Sequence, residues 1–161
     1  MQYRILLLFM LVLSAFVAAP ASAIVADSLT ITVIENGDAN VDVRYTLSWL
    51  EKLGVLTKVG DPAIYIRKAC NDYGGAATLI HSDMSGASLH IRGFAVVDNA
   101  TYTTPTIDFT EAERILQNYP IISTILTFDL SPTITEIRFP DGTALTYHDQ
   151  LLIPSAVHTI S

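Results

Sequence analysis

Residues 34–43 read I-E-N-G-D-A-N-V-D-V, which sets Asn36, Asp38, Asn40 and Asp42 on alternate positions. Side-chain oxygens at that spacing can line a calcium loop. An EF-hand loop counted from Asn36 needs glycine at its sixth position and glutamate at its twelfth. Those positions hold Val41 and Leu47, so the stretch reads as a turn. His148-Asp149 is the best polar pair near a strand end, and His158 follows in the C-terminal segment. The three together suggest a metal set only in composition, because their spacing matches no ligand motif. His81 and His90 fall in neighbouring predicted strands and could face one another, but histidines on a strand pair are more often surface or half-buried residues than ligands.

Nucleophilic chemistry has little to stand on. No G-x-S-x-G occurs, and Ser82-Asp83-Met84-Ser85-Gly86 reads as a turn. Cys70, the only cysteine, falls mid-helix on a predicted apolar stripe rather than at a helix N-terminus, where its pKa would be lowered. It reads as a small buried side chain, with intermolecular pairing as the alternative. Gly74-Gly75 fits a helix stop, not a phosphate-cradling loop. Asn99-Ala100-Thr101 is an N-glycosylation sequon on a predicted turn, which makes Asn99 the candidate modification site. No catalytic, metal or cofactor-binding residue is assigned, and no cofactor is expected.

The elements that must position these residues follow from periodicity. Leu29, Ile31 and Val33 alternate with Thr30 and Thr32, and Val41, Val43, Tyr45 and Leu47 alternate with polar residues. A two-residue Asn36-Gly37 loop would set Val33 against Asn40 and mix the faces. A three-residue loop, Glu35-Asn36-Gly37, pairs Val33 with Ala39, Ile31 with Val41 and Leu29 with Val43. That keeps the apolar residues on one side and gives Gly37 the position that needs positive φ. Thr135, Ile137 and Phe139 precede Pro140-Asp141-Gly142, and Thr143, Leu145 and Tyr147 follow. The same parity pairs Ile137 with Leu145 and Thr135 with Tyr147.

Helical signals lie between these hairpins. Asp61-Pro62 opens a predicted helix that carries Ile66, Ala69, Cys70 and Tyr73 on one face and stops at Gly74-Gly75. Thr110-x-x-Glu113 is a capping box for a second helix, over 110–118, before Pro120. A third, shorter helix is expected over 50–57. Strands are expected over 77–81, 88–97 and 101–104, and more weakly over 121–128. The fold class read from this order is α+β: an antiparallel sheet built from hairpins, with two or three helices packed on one face.

Residues 1–23 read as a secretory signal peptide. Arg4 lies in a short n-region, an apolar run covers 5–19, and Pro20-Ala21-Ser22-Ala23 supplies an A-x-A cleavage site. Fifteen residues of helix rise only about 22 Å, short of a hydrocarbon core about 30 Å thick. Residues 24–161 then form a single extracellular domain, secreted or held at the cell surface, with no membrane span once the leader is cleaved. Arg4 leaves with the leader, so the net charge of −7 becomes about −8. An acidic chain without a basic cluster is a poor partner for nucleic acid or anionic membrane.

The run S-L-T-I-T-V-I-E-N-G-D-A-N-V-D-V-R-Y-T-L-S-W-L, with the later T-T-P-T-I-D-F-T-E-A-E-R-I-L and F-P-D-G-T, looks like small secreted proteins of unknown function from methanogenic archaea. The resemblance implies an archaeal, exported or cell-surface setting. It transfers no site residues.

Three functional expectations follow. The first is an exported non-enzymatic domain that binds a protein or cell-surface partner or self-associates in a surface assembly. Residues 150–161, extended and apolar at Leu151, Leu152, Ile153, Val157 and Ile160, supply a strand that either joins a neighbour's sheet edge or packs back on its own domain. The second is an exported hydrolase with carboxylate or histidine chemistry near His148 and Asp149, which requires those side chains to converge in a pocket. The third is a small-ligand carrier, which requires an unfilled cavity between the apolar face of the sheet and the helices expected to cover it.

Overall fold

A computed structural model describes residues 23–46, 76–110, 114, 127–129 and 131–160. Their largest unit is a seven-stranded sheet. It contains β1 (Ala23–Val33), β2 (Ala39–Thr46), β3 (Ala76–Ser82) and β4 (Gly86–Arg92). Two short sheets accompany it. One comprises β5 (Val96–Asp98), β6 (Thr101–Thr103) and, at the C-terminal end, β12 (Val157–Thr159). The other pairs β7 (Ile107–Asp108) with β11 (Leu152–Ile153). Strands β8 (Thr127–Asp129), β9 (Ile134–Arg138) and β10 (Ala144–His148) complete the large sheet. Its order is β10-β9-β1-β2-β4-β3, with β8 beside the start of β1.

Both hairpins take the register that their apolar parity demands. Val33 faces Ala39, Ile31 faces Val41 and Leu29 faces Val43. Ile137 faces Leu145 and Thr135 faces Tyr147. The two turns close alike. Gly37 N–H donates to Ile34 O at 2.9 Å, and Gly142 N–H donates to Phe139 O at 3.0 Å. Gly37 and Gly142 have φ of 85° and 86°, a region open to glycine at little cost. An Asx side chain at the middle of each loop accepts the N–H two residues on, Asn36 from Asp38 and Asp141 from Thr143.

The inner face of the large sheet supplies Leu29, Ile31, Val33, Ala39, Val41, Leu89 and Ile137 to a core that also takes in Ala95, Tyr102, Phe109, Phe139 and Ile153. Residues of the small sheets and their flanks thus cover this face. This corrects the expected α+β class: the described residues are mainly β, with no helical element among them and only Phe109, Thr110 and Arg114 in helical conformation. The predicted helices at 50–57 and 62–73, with Cys70, lie outside the described residues, as does all of 110–118 except Thr110 and Arg114. Strand β6 lies within the strand expected over 101–104, whereas β7 has no counterpart in the expectation and β11 and β12 were expected only as one extended segment over 150–161, because two or three residues show no measurable period. The sheet is also mixed rather than antiparallel. Strand β1 runs parallel to β8 and β9, so the two hairpins dock with their first strands side by side. A single strand over 88–97 was expected. Gly93, at φ 63°, ends β4 at Arg92 and lets the chain pass to another sheet as β5. Of the expected strand over 121–128, only Thr127 and Phe128 are described, both in β8.

Candidate functional site

The Asn36–Asp42 oxygens are spent on the turn and its neighbours. Asp38 accepts the Gly93 N–H at 2.8 Å and the Asn36 amide at 2.9 Å. These bonds, the Gly93 one foremost, hold its carboxyl below the usual carboxylate range. Asp42 accepts the Ser88 hydroxyl across the β2–β4 pair. Asn40 Oδ1 lies 3.1 Å from His90 Nδ1, while His90 Nε2 lies 3.4 Å from Asp38. These oxygens bind the turn to β4 instead of converging on one point, and among the described residues no group of three or more His, Cys, Asp or Glu side chains is placed to hold a metal.

His81 and His90 do not face one another. His90 sits opposite Thr78, and His81 opposite Ser88. His81 lies 3.5 Å from Asp83. Asp83 also accepts the Ser85 hydroxyl and the backbone N–H of Ser85 and Gly86. Those bonds, the hydroxyl first, lower its pKa to about 2. His158 lies 2.7 Å from Asp141, whose carboxyl it holds below the ordinary range, and its ring stacks on Phe139 at 4.5 Å. Three histidines thus each meet one aspartate, at three separate turns. Sequence reading missed the His158–Asp141 contact, which spans 17 positions and has no local signature.

His148 and Asp149, the pair nominated for hydrolase chemistry, are both exposed. Asp149 takes a positive φ of 50° where the chain leaves β10. The two do not meet His158, which is engaged at the Asp141 turn. Asn99 lies at an exposed turn between β5 and β6, with φ 53°. Its side-chain amide donates to Asp98 at 3.3 Å, so the sequon stands where the turn was expected.

The C-terminal segment packs on its own domain. Strand β11 pairs with β7, and β12 pairs with β6. Thr104, only 1% exposed, receives it with three polar groups. Its N–H donates to Ala156 O, its hydroxyl accepts the Ala156 N–H and its carbonyl accepts the Ser155 hydroxyl. Ile153 is completely buried.

Strand β10 presents a surface that the sequence did not single out. Phe139 N–H bonds to Thr143 O, and Asp149 N–H bonds to Thr133 O. Alternation along an antiparallel ladder then turns Leu145 and Tyr147 towards β9, and turns the backbone N–H and C=O of Ala144, Thr146 and His148 away from it. Among the described residues no strand lies beyond β10. Edges are commonly guarded by lysine, proline or a bulge. Residues 144–148 contain neither residue type and pair with β9 in unbroken register. The opposite edge, β3, carries a register shift between Leu79 and His81.

No family model matches the chain, and no curated protein or solved structure matches it either.

Proposed function

We propose that the protein is an exported, non-enzymatic domain that binds a partner by strand addition, and that it works outside the cell or at its surface. The observation that carries the reading is the unguarded β10 edge: three residues aim backbone donors and acceptors outward from a strand backed by a buried core. An added strand gains main-chain hydrogen bonds there, and side chains packed against the half-buried Leu145 and Tyr147 would supply selectivity. The export part of the proposal rests on the leader-like residues 1–23, and the archaeal setting on the resemblance described above. A glycan on Asn99 would be compatible with that setting.

The hydrolase alternative loses its support at His148 and Asp149, which stand in the open instead of converging. The carrier alternative draws no support from the inner face of the sheet, which is filled by Tyr102, Phe109, Phe139 and Ile153. The test is saturable binding of labelled protein to the envelope of the producing cells. Thr146→Lys places a charge on the edge without touching the core and should abolish binding. Unchanged binding by that variant would refute the edge reading.

A further inference from the structure

The β10 edge has a self-complementary sequence, and from this we infer that its occupant is the same strand of a second copy of this chain, paired antiparallel about a two-fold axis at Thr146. The inference rests on the strand-addition reading and names the partner. Centring the pair on Thr146 sets Thr146 against its own counterpart, Ala144 against His148 and Leu145 against Tyr147. Each outward-facing residue then meets another outward-facing residue, so about six backbone hydrogen bonds can form across the seam.

The side chains agree with this register. Leu145 and Tyr147 lie on the inner face, half-buried against the core. In the paired register they meet across a non-hydrogen-bonded pair, where side chains approach most closely. The row that packs against the core would therefore continue from one copy into the next. On the other face, threonine meets threonine, a favourable cross-strand pair, and alanine leaves room for the imidazole. Residues 144–148 carry no Asp, Glu, Lys or Arg, so two acidic chains meet without like charges at the seam. Centring on Leu145 would run one end into the Gly142 turn, and centring on Tyr147 would run it into the corner at Asp149. Only Thr146 uses the whole of β10.

Sedimentation of the purified protein tests this. The unaltered protein should be a dimer. Thr146→Lys sets two ammonium groups against each other at the axis and should weaken dimerisation by about 100-fold or more. Val157→Lys, which adds the same charge at an exposed position of the three-stranded sheet, should leave the dimer intact. Mixing Thr146→Lys with Thr146→Glu in equal amounts should restore it, because only a residue on the axis faces its own counterpart. Thermal melts confirm that each variant is folded. An unaltered protein that stays monomeric at millimolar concentration overturns the inference, and so does a dimer that survives Thr146→Lys. A monomer whose envelope binding is nevertheless lost with Thr146→Lys would reject the self-pairing alone and leave the strand-addition reading standing.

Discussion

Thr104 and Thr135 are both 1% exposed, yet their hydroxyls live in opposite circumstances. That of Thr104 accepts the Ala156 N–H at 3.0 Å, whereas that of Thr135 has no hydrogen-bond partner. Valine has nearly the same shape as threonine. Thr104→Val should therefore destabilise the protein by about 2 kcal/mol by orphaning a buried N–H, and Thr135→Val should stabilise it by about 1 kcal/mol. Chemical denaturation of the two variants checks the opposite signs. Asp83 makes a pH-dependent prediction. Its pKa falls from 3.8 to about 2 on folding, so its contribution is fully present above the unfolded value and is lost as the pH drops through that window. Carboxyl chemical shifts should report the low midpoint, and Ser85→Ala should move it upward. The circumstances of the two threonines were illegible in the sequence. Thr104 meets residues 155 and 156 only after the chain has folded back, and alternation marks Thr135 as inward without showing that nothing awaits its hydroxyl. The turn at Glu35-Asn36-Gly37 was readable because turn chemistry is local, whereas the bond from Gly93 to Asp38 spans 55 positions and was not.

The two hairpin turns share a conformation but not a setting. A Cβ on Gly37 would lie 2.4 Å from Ala95 O, whereas one on Gly142 would have nothing within 4 Å. Gly37→Ala should cost about 2 kcal/mol or more, since it adds a clash to an unfavourable φ, and Gly142→Ala about 1 kcal/mol from φ alone. Thermal unfolding of the pair separates the two terms. Both hairpins were legible down to their register, because a slip of one residue would have turned Val33 or Ile137 outward. The strands that cover the core were not. Strands β7 and β11 have two residues each, and their pairing joins Ile107 to Ile153 across 46 positions. Gly93 gave no sign that the chain would change sheets there.

At the scale of the whole molecule, net charge of −7 opposes any association between copies, while the seam at β10 carries none of that charge. Salt should therefore strengthen the proposed dimer by screening repulsion between the bodies. Sedimentation at low and high ionic strength reads this directly, and a dimer weakened by salt would contradict an uncharged seam. Strand order was the least legible feature. Alternation shows which face of β1 is buried but not which strand lies beside it. That neighbour is β9, with Leu29 opposite Thr135 and Ile31 opposite Ile137. The position of β1 has a consequence in time. As the chain is made, β1, β2, β4 and β3 can assemble once residue 92 is available, but one side of β1 must wait for residues up to 138. Pairings so distant in sequence close slowly. During that delay the most apolar strand of the sheet offers an open edge to every other nascent copy, so the yield of correctly folded protein should depend on how quickly the last quarter of the chain follows the first.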